Sequence, residues 1–186
     1  MPSKAIYEPW RSFLNRLDNS LSHEFHFHCI GGFVITHLYG FSRPTSDIDI
    51  LPLVGDPDIL NALLKVGGQG SELHKKYGVY LECVAVAPVP EDYDSRLAEI
   101  YPGTFNHLRL FALDSYDLAL SKLDRNQQQD RDDVKYLAEI VPFDLEILRK
   151  RYHKELRSQL HVPDRGDSTL KLWIEAIEEE RNSGLK

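Results

Sequence analysis

Two short stretches, CIGG at residues 29–32 and RPTSDIDIL at residues 43–51, decide the fold. Apolar residues that are typical of buried strands flank both, and the two glycines end the first strand. Residues two apart on a strand point to the same face, so Asp47 and Asp49 project together while the isoleucines face the other way. The pattern predicts a strand, a Gly-Gly turn, a short helix and a second strand that carries two carboxylates.

Two carboxylates side by side on one strand repel each other unless a positive charge offsets them. Mg²⁺ is the hard, oxygen-seeking cation that commonly does so. The alternative is that Asp47 and Asp49 are solvated or cap a helix. Ile48, Ile50 and Leu51 indicate a buried strand, which raises the cost of leaving both acids unpaired and favours a metal site.

A third acid lies in a similar setting. Glu82 is the only charge in VYLECVAVA at residues 79–87, and a lone carboxylate on a strand is equally compatible with a solvent-facing side chain. If the strands at 47–54 and 79–87 are neighbours, Glu82 stands beside Asp47 and Asp49. Three acids in that arrangement hold one or two Mg²⁺ ions, which clamp the phosphates of a nucleotide.

The remaining chain alternates strands and helices up to about residue 113 and is helical afterwards. Alternating patterns predict strands at 25–30, 47–54, 79–87 and 107–113. Helical spacing predicts helices at 8–21, 33–39, 57–66, 71–77, 115–123, 130–140, 143–160 and 168–182, with Ser71 and either Asp114 or Ser115 as caps. The order predicts an α/β (α+β) fold, with a core domain over 1–113 and a helical C-terminal subdomain over 114–186.

Composition and charge narrow the class of protein. The 186 residues are 42% hydrophobic and 27% charged, which excludes a disordered chain, and no apolar run is long enough for a membrane helix. The 29 acids against 22 basic residues give a net charge of −7, which disfavours long DNA or RNA as a partner. Cys29 and Cys83 lie in apolar strands, so we expect free buried thiols in a reducing, cytoplasmic compartment.

Several polar residues have two open interpretations. The Gly31-Gly32 turn lets backbone N–H groups approach a phosphate closely, although most such pairs are ordinary turns. Arg43 either contacts a phosphate or holds one of the aspartates. Lys122 and Arg125, three apart on one helix face, either reach a nucleotide or form a surface ladder with Asp124 and Asp130.

Gly31-Gly32 followed by Arg43-x-Thr45-x-Asp47-x-Asp49 resembles the nucleotidyltransferase superfamily, which includes polymerase β and antibiotic-modifying enzymes. The closer resemblance, over about residues 25–140, is to small bacterial nucleotidyltransferase-like proteins related to abortive-infection and toxin–antitoxin toxins. The family has a third acid on a later strand, which Glu82 matches, and Lys122, Arg125 and Asp130-x-x-Asp133 resemble its helix pattern. The chain departs from the family at Gly32, where many members have serine, and at Glu82, where aspartate is commoner.

The resemblance implies a nucleotidyltransferase fold and a Mg²⁺-dependent reaction, in which Mn²⁺ can replace Mg²⁺. A nucleoside monophosphate passes from a nucleoside triphosphate to an acceptor hydroxyl of a small molecule, a protein or RNA. The implied catalytic and metal-binding residues are Asp47, Asp49 and Glu82, and the implied nucleotide-binding residues are Gly31, Gly32, Arg43, Thr45, Lys122 and Arg125. A toxin role with an antitoxin partner is also implied.

Two other classes stay open. An Asp-x-Asp glycosyltransferase also uses metal-bound carboxylates, but that class needs a longer nucleotide-binding region than the 46 residues that precede Asp47. A non-catalytic nucleotide sensor or binding partner would keep the fold without turnover. His26-x-His28 is half of a metal site at most, because no further histidine or cysteine follows at ligand spacing.

Overall fold

The computed structural model describes residues 6–52, 57–85 and 87–183. Its strands are β1 Phe25–Ile30, β2 Asp47–Ile50, β3 Tyr80–Cys83, β4 Ala98–Ile100 and β5 Leu108–Ala112. Its α-helices are α1 Trp10–Asp18, α2 Gly31–Val34, α3 Pro57–Gly67, α4 Glu72–Tyr77, α5 Ser115–Leu120, α6 Gln128–Ile140, α7 Leu145–Arg151 and α8 Pro163–Ser183. Helix α2 continues as a π-helical segment, Ile35–Tyr39, and α7 continues through a π-helical segment, Tyr152–Leu156. Short 3₁₀ turns cover Tyr93–Arg96 and Arg157–Gln159.

Within the described residues the strands form one mixed five-stranded sheet in the order β3-β2-β1-β5-β4. The β1/β2 and β4/β5 pairs are antiparallel, and the β1/β5 and β2/β3 pairs are parallel. In register, Asp47 lies opposite Tyr80 and Asp49 opposite Glu82. Residues directly opposite in a ladder project from the same face, so one face of β2 and β3 carries all three predicted acids.

The other face of the sheet packs into the core. Ile48 and Ile50 are fully or almost fully buried, as is Leu81 on β3. Helix α3 approaches this layer at Gly67, where a Cβ would stand 3.1 to 3.4 Å from atoms of Leu17, Phe13 and Leu81. The strict alternation of polar and apolar residues therefore turns the carboxylates away from the core.

The predicted α/β class is confirmed, but several predicted boundaries were too long. β2 ends at Ile50 and β3 at Cys83, whereas strands were predicted to residues 54 and 87. Parts of those predictions, residues 53–54 and 86, lie outside the described residues. The short strand β4 was not predicted, because three residues carry too little alternation to be recognised.

Two helices of the C-terminal half start earlier than the sequence pattern predicts. Helix α6 starts at Gln128 rather than 130, since the Asp130 carboxylate accepts a hydrogen bond of 2.9 Å from the Gln127 backbone N–H. Helix α8 starts at Pro163 and passes through Gly166, which the prediction placed before the helix. A Cβ at Gly166 would stand 2.5 Å from Leu160 Cδ1 and 2.6 Å from the Tyr152 hydroxyl, so close packing explains this glycine.

The described chain divides into two compact units. The first is residues 1–87 with 97–113, and it contains the sheet; the second is 88–96 with 114–186, and it is helical. The predicted division after residue 113 stays a prediction. None of the helices in the described residues is both long and apolar enough to cross a membrane.

A buried aspartate in the first unit connects helix α1 to the segment before β5 by hydrogen bonds. Asp18, at the end of α1, accepts backbone hydrogen bonds from Asn106, His107 and Leu108 at 3.1, 2.7 and 2.8 Å. Burial raises the pKa of this carboxyl, but the three backbone donors outweigh burial and hold its pKa below the ordinary 3.8. Asp18 thus fastens α1 to the segment that leads into β5.

Candidate active site

Asp47, Asp49 and Glu82 form a compact cluster of carboxylates. One oxygen from each side chain lies within 4.8 Å of the others. Glu82 is exposed, and the two aspartates are half-buried. The cluster arises because β2 and β3 run parallel and in register, which was the condition set by the sequence. The three acids are therefore together, while their roles remain to be tested.

The Gly-Gly turn fits closely against this cluster. Gly31 has φ +70°, and a Cβ there would overlap Asp49 Oδ2 and lie 2.9 Å from Asp49 Cγ. A Cβ at Gly32 would lie 2.5 Å from Arg43 Nη2 and 3.0 Å from Thr45 Oγ1. Gly31 thus leaves space for the Asp49 carboxylate, and Gly32 leaves space for the Arg43 and Thr45 side chains.

Arg43 and Thr45 are brought to the turn by the reversal of the chain after α2. Gly40, with φ +85°, ends the helical segment, and Thr36 Oγ1 lies 3.5 Å from the Arg43 carbonyl oxygen, to which it donates. Thr45 Oγ1 lies 3.2 Å from Asp47 Oδ1 and donates a hydrogen bond to it. The segment before β2 therefore carries a guanidinium beside the turn and a hydroxyl on an acid of the cluster.

Tyr80 is a site residue that the sequence reasoning missed. It lies directly opposite Asp47 in the β2/β3 ladder, so its side chain projects from the face that carries the acids. Burial, followed by the charges of Asp47, Glu82 and Asp49, raises the pKa of the Tyr80 hydroxyl, so the phenol stays protonated and able to donate. The signal was available, because Tyr80 precedes Glu82 by two residues on a strand and shares its face.

Lys122 and Arg125 lie in the helical unit, where their partners are acids. Lys122 is only 4% exposed, and its Nζ lies 2.7 Å from Asp133 Oδ2 and 3.7 Å from Asp130 Oδ1. Arg125 binds Asp130 through Nε at 2.9 Å and Nη2 at 2.6 Å. Both acids are fully buried, so this cluster is not the surface ladder that formed the alternative. The predicted contact of either cation with a nucleotide stays a prediction.

Within the described residues, the remaining candidates do not belong to the acid cluster. His26 Nε2 lies 2.8 Å from Glu24 Oε1, and both side chains are exposed. Cys29 is fully buried, and Cys83 is only half-buried, against the expectation for that thiol. Burial, with a smaller contribution from Asp49, raises the pKa of the Cys29 thiol, which is consequently an inert core residue.

Comparison with known proteins gives the class of this chain. The sequence pattern of the family described as "Nucleotidyltransferase of unknown function (DUF6036)" matches residues 13–181. No curated protein and no solved structure matches the chain. The match spans the acid strands, the Gly-Gly turn and most of the helical unit. The chain belongs to this nucleotidyltransferase family, and the resemblance seen in its motifs is confirmed.

Proposed function

We propose that the protein transfers a nucleoside monophosphate from a nucleoside triphosphate to an acceptor hydroxyl, with a divalent metal bound by Asp47, Asp49 and Glu82. The observation that carries the proposal is the in-register pairing of β2 and β3, which groups three carboxylates beside the Gly-Gly turn. Family membership favours nucleotidyl transfer over the glycosyl transfer that the Asp-x-Asp pattern left open.

The donor set fits Mg²⁺. Three carboxylates supply only oxygen ligands, which Mg²⁺ and Mn²⁺ both accept, and no described histidine or cysteine belongs to the cluster. The glycine at position 31 supports the same fit, since any side chain there would displace the Asp49 carboxylate. When bound, the metal would neutralise phosphate charge and polarise the phosphoryl group.

The positions of the residues in the site suggest a separate role for each of them in the proposed reaction. Asp47 and Asp49, fixed on β2, would hold the metal, and the exposed Glu82 would orient or deprotonate the acceptor hydroxyl. In the transfer the acceptor oxygen forms a bond to the α-phosphorus, the bond from that phosphorus to the bridging oxygen breaks, and pyrophosphate leaves. Arg43 would offset the charge of the phosphates beside the turn, where Thr45 also lies. Lys122 and Arg125 are proposed as further phosphate contacts on the resemblance alone.

The test is transfer of label from each α-labelled nucleoside triphosphate with Mg²⁺ or Mn²⁺, with and without cell extract. Asp49→Asn keeps the size of the side chain and removes its charge, so we expect transfer to fall by about 100-fold or more without loss of the fold. Asp92→Asn, at an exposed position in the helical unit, is the matched control and should keep full activity. An Asp49→Asn variant as active as the parent would overturn the proposed site.

Other outcomes separate the remaining functions. Metal-dependent nucleotide binding without transfer, in the parent protein, would favour the sensor or binding-partner interpretation. The chemical nature of the labelled product identifies the acceptor as a small molecule, a protein hydroxyl or RNA. The toxin role and the antitoxin partner rest on the resemblance alone, and growth arrest on expression that the product of the adjoining gene relieves would support them.

A further inference from the structure

The hydroxyl of Thr45 is directed at the first acid of the cluster. In the part of the chain that the structure describes, both of its acceptors belong to Asp47: Thr45 Oγ1 lies 3.2 Å from Oδ1 and 3.4 Å from the main-chain carbonyl oxygen. Thr45 and Asp47 are both half-buried, so this hydrogen bond is stronger than it would be in open water. The Asp47 carboxylate is therefore oriented by a residue two positions before it in the chain.

A hydroxyl carries a single hydrogen, which limits what Thr45 can do. The oxygens of a nucleotide's phosphates accept hydrogen bonds, so Thr45 could bind them only by breaking its hydrogen bond to Asp47. The Asp47 carboxylate, by contrast, has about four acceptor sites, and one donor on Oδ1 leaves the others for a metal. The contacts thus favour a role for Thr45 on the carboxylate over the nucleotide contact that the resemblance implies.

The surroundings of Thr45 fix its side chain in this position. Its branched Cβ restricts rotation about χ1. The segment that carries it is attached to the preceding helical segment, because Thr36 Oγ1 donates to the Arg43 carbonyl oxygen at 3.5 Å. In the Gly-Gly turn, a Cβ at Gly32 would stand 3.0 Å from Thr45 Oγ1, so the glycine leaves room for the hydroxyl.

Resting on the proposed function, we propose that Thr45 is a positioning residue of the metal site, whose hydroxyl presents the Asp47 carboxylate to the divalent cation. It contacts neither the cation nor the nucleotide and acts through Asp47. Removing a group that hydrogen-bonds a ligating carboxylate commonly lowers metal affinity by about 10- to 100-fold. Loss of this hydroxyl should therefore weaken metal binding before any nucleotide is added, which loss of a nucleotide contact would not do.

The test is the affinity of the purified protein for Mn²⁺ alone, measured by electron paramagnetic resonance and by competition with Mg²⁺. Thr45→Val keeps the branched shape and deletes the hydroxyl, so we expect the Mn²⁺ dissociation constant to rise about 10-fold or more. Thr45→Ser keeps the hydroxyl and should bind Mn²⁺ nearly as the parent does. Thr104→Val makes the same change as Thr45→Val at an exposed position of the first unit and should leave the dissociation constant unchanged. Circular dichroism and urea unfolding verify that the variants are folded.

A second measurement distinguishes positioning from a nucleotide contact. In the transfer assay, raising Mn²⁺ by about 10- to 100-fold should restore most of the turnover of Thr45→Val, because its defect is occupancy by metal. Turnover that stays low at saturating Mn²⁺ would overturn the proposed role. If Asp49→Asn loses Mn²⁺ binding while Thr45→Val binds as the parent does, or if Thr45→Ser binds as weakly as Thr45→Val, the role of Thr45 is overturned and the metal site stands. If Asp49→Asn binds Mn²⁺ as the parent does, the proposed site itself fails, and the role of Thr45 fails with it.

Discussion

At position 31 the residue must be glycine for two separate reasons. Its φ of +70° lies in the left-handed region, where an L side chain costs about 1–2 kcal/mol. Its Cα also faces the Asp49 carboxylate so closely that a Cβ would overlap Oδ2. The first reason concerns stability and the second concerns the site, so a suitable pair of variants can separate them.

Gly103 provides the matched comparison for Gly31. It has φ +69° and no atom within 4 Å of an added Cβ, so Gly103→Ala carries the same backbone cost without a steric clash. We expect both alanine variants to lose about 1–2 kcal/mol in urea unfolding. Only Gly31→Ala should bind Mn²⁺ at least tenfold more weakly, because its methyl group displaces Asp49. Equal Mn²⁺ affinity in the two variants would contradict the packing of the turn against the acid.

At the scale of elements, the sequence was informative wherever one short pattern determined one element. The alternation in DIDI predicted which side chains share a face, and Ser71 was recognised as a helix cap. The cap of α5 was narrowed to Asp114 or Ser115, and the structure has Asp114 there. The grouping of Glu82 with the aspartates could be stated only conditionally. Pairing between strands that are about 30 residues apart depends on packing of the intervening helices, which local patterns do not encode.

Two further features could not be predicted from the sequence, because they too depend on long-range packing that local patterns do not encode. The contact of Arg43 with Gly32 depends on the reversal at Gly40 and the hydrogen bond from Thr36, which form only in the folded chain. The burial of Lys122 was also unexpected, because a lysine three residues from an arginine usually marks a solvated helix face. Only the positions of two buried acids on α6 explain it.

The π-helical segment after α2 contains a histidine that should make stability depend on pH. The His37 ring stacks on Phe33 at 4.4 Å, meets Trp10 edge-on, and shares a hydrogen bond of 3.1 Å between Nδ1 and the Tyr101 hydroxyl. Burial lowers the pKa of His37 from 6.5 to about 4. Between these values the unfolded chain binds a proton that the folded chain does not, so stability falls as the pH decreases from 6.5 towards 4.

We therefore expect His37 to cost the protein about 2 kcal/mol of unfolding free energy between pH 7 and pH 5. Replacing His37 with Gln removes this titration while keeping a polar group near Tyr101. The measurement is urea unfolding of parent and variant at both pH values. The loss between pH 7 and pH 5 should be smaller in His37→Gln by about that amount, because the other histidines titrate equally in the two proteins. An identical loss would show that His37 is protonated in the fold.

At the scale of the whole molecule, the net charge of the chain differs from the local charge balance that binding of a nucleotide would require. The net charge of −7 repels a nucleoside triphosphate, so the proposed nucleotide binding would require local cations and a metal. Many cations are already engaged within the helical unit: the buried Asp117 binds Arg96 at 2.8 Å and Arg151 at 2.8 Å. Local charge balance beside the acid strands, rather than overall charge, is what the proposed activity requires.

Substitution of Lys122 measures how much a buried cation contributes to the unfolding free energy of the protein. Lys122→Met leaves the fully buried Asp133 without its ammonium partner, and we expect a loss of about 3–5 kcal/mol in unfolding free energy. Lys135→Met is the matched control: Lys135 pairs with Glu180 at 2.9 Å, both side chains are well exposed, and its removal should hardly change the unfolding midpoint.

The double variant Lys122→Met/Asp133→Leu removes both charges and should regain most of the lost stability, because a buried pair replaced by apolar groups is often neutral. If Lys122→Met unfolds like the parent, the pair contributes little to the fold, and a phosphate-binding role for Lys122 becomes the stronger explanation of its burial. If only the double variant recovers stability, its transfer activity is informative. Activity retained without Lys122 would then remove this lysine from the proposed nucleotide contacts, whereas activity lost in a stable protein would keep it there.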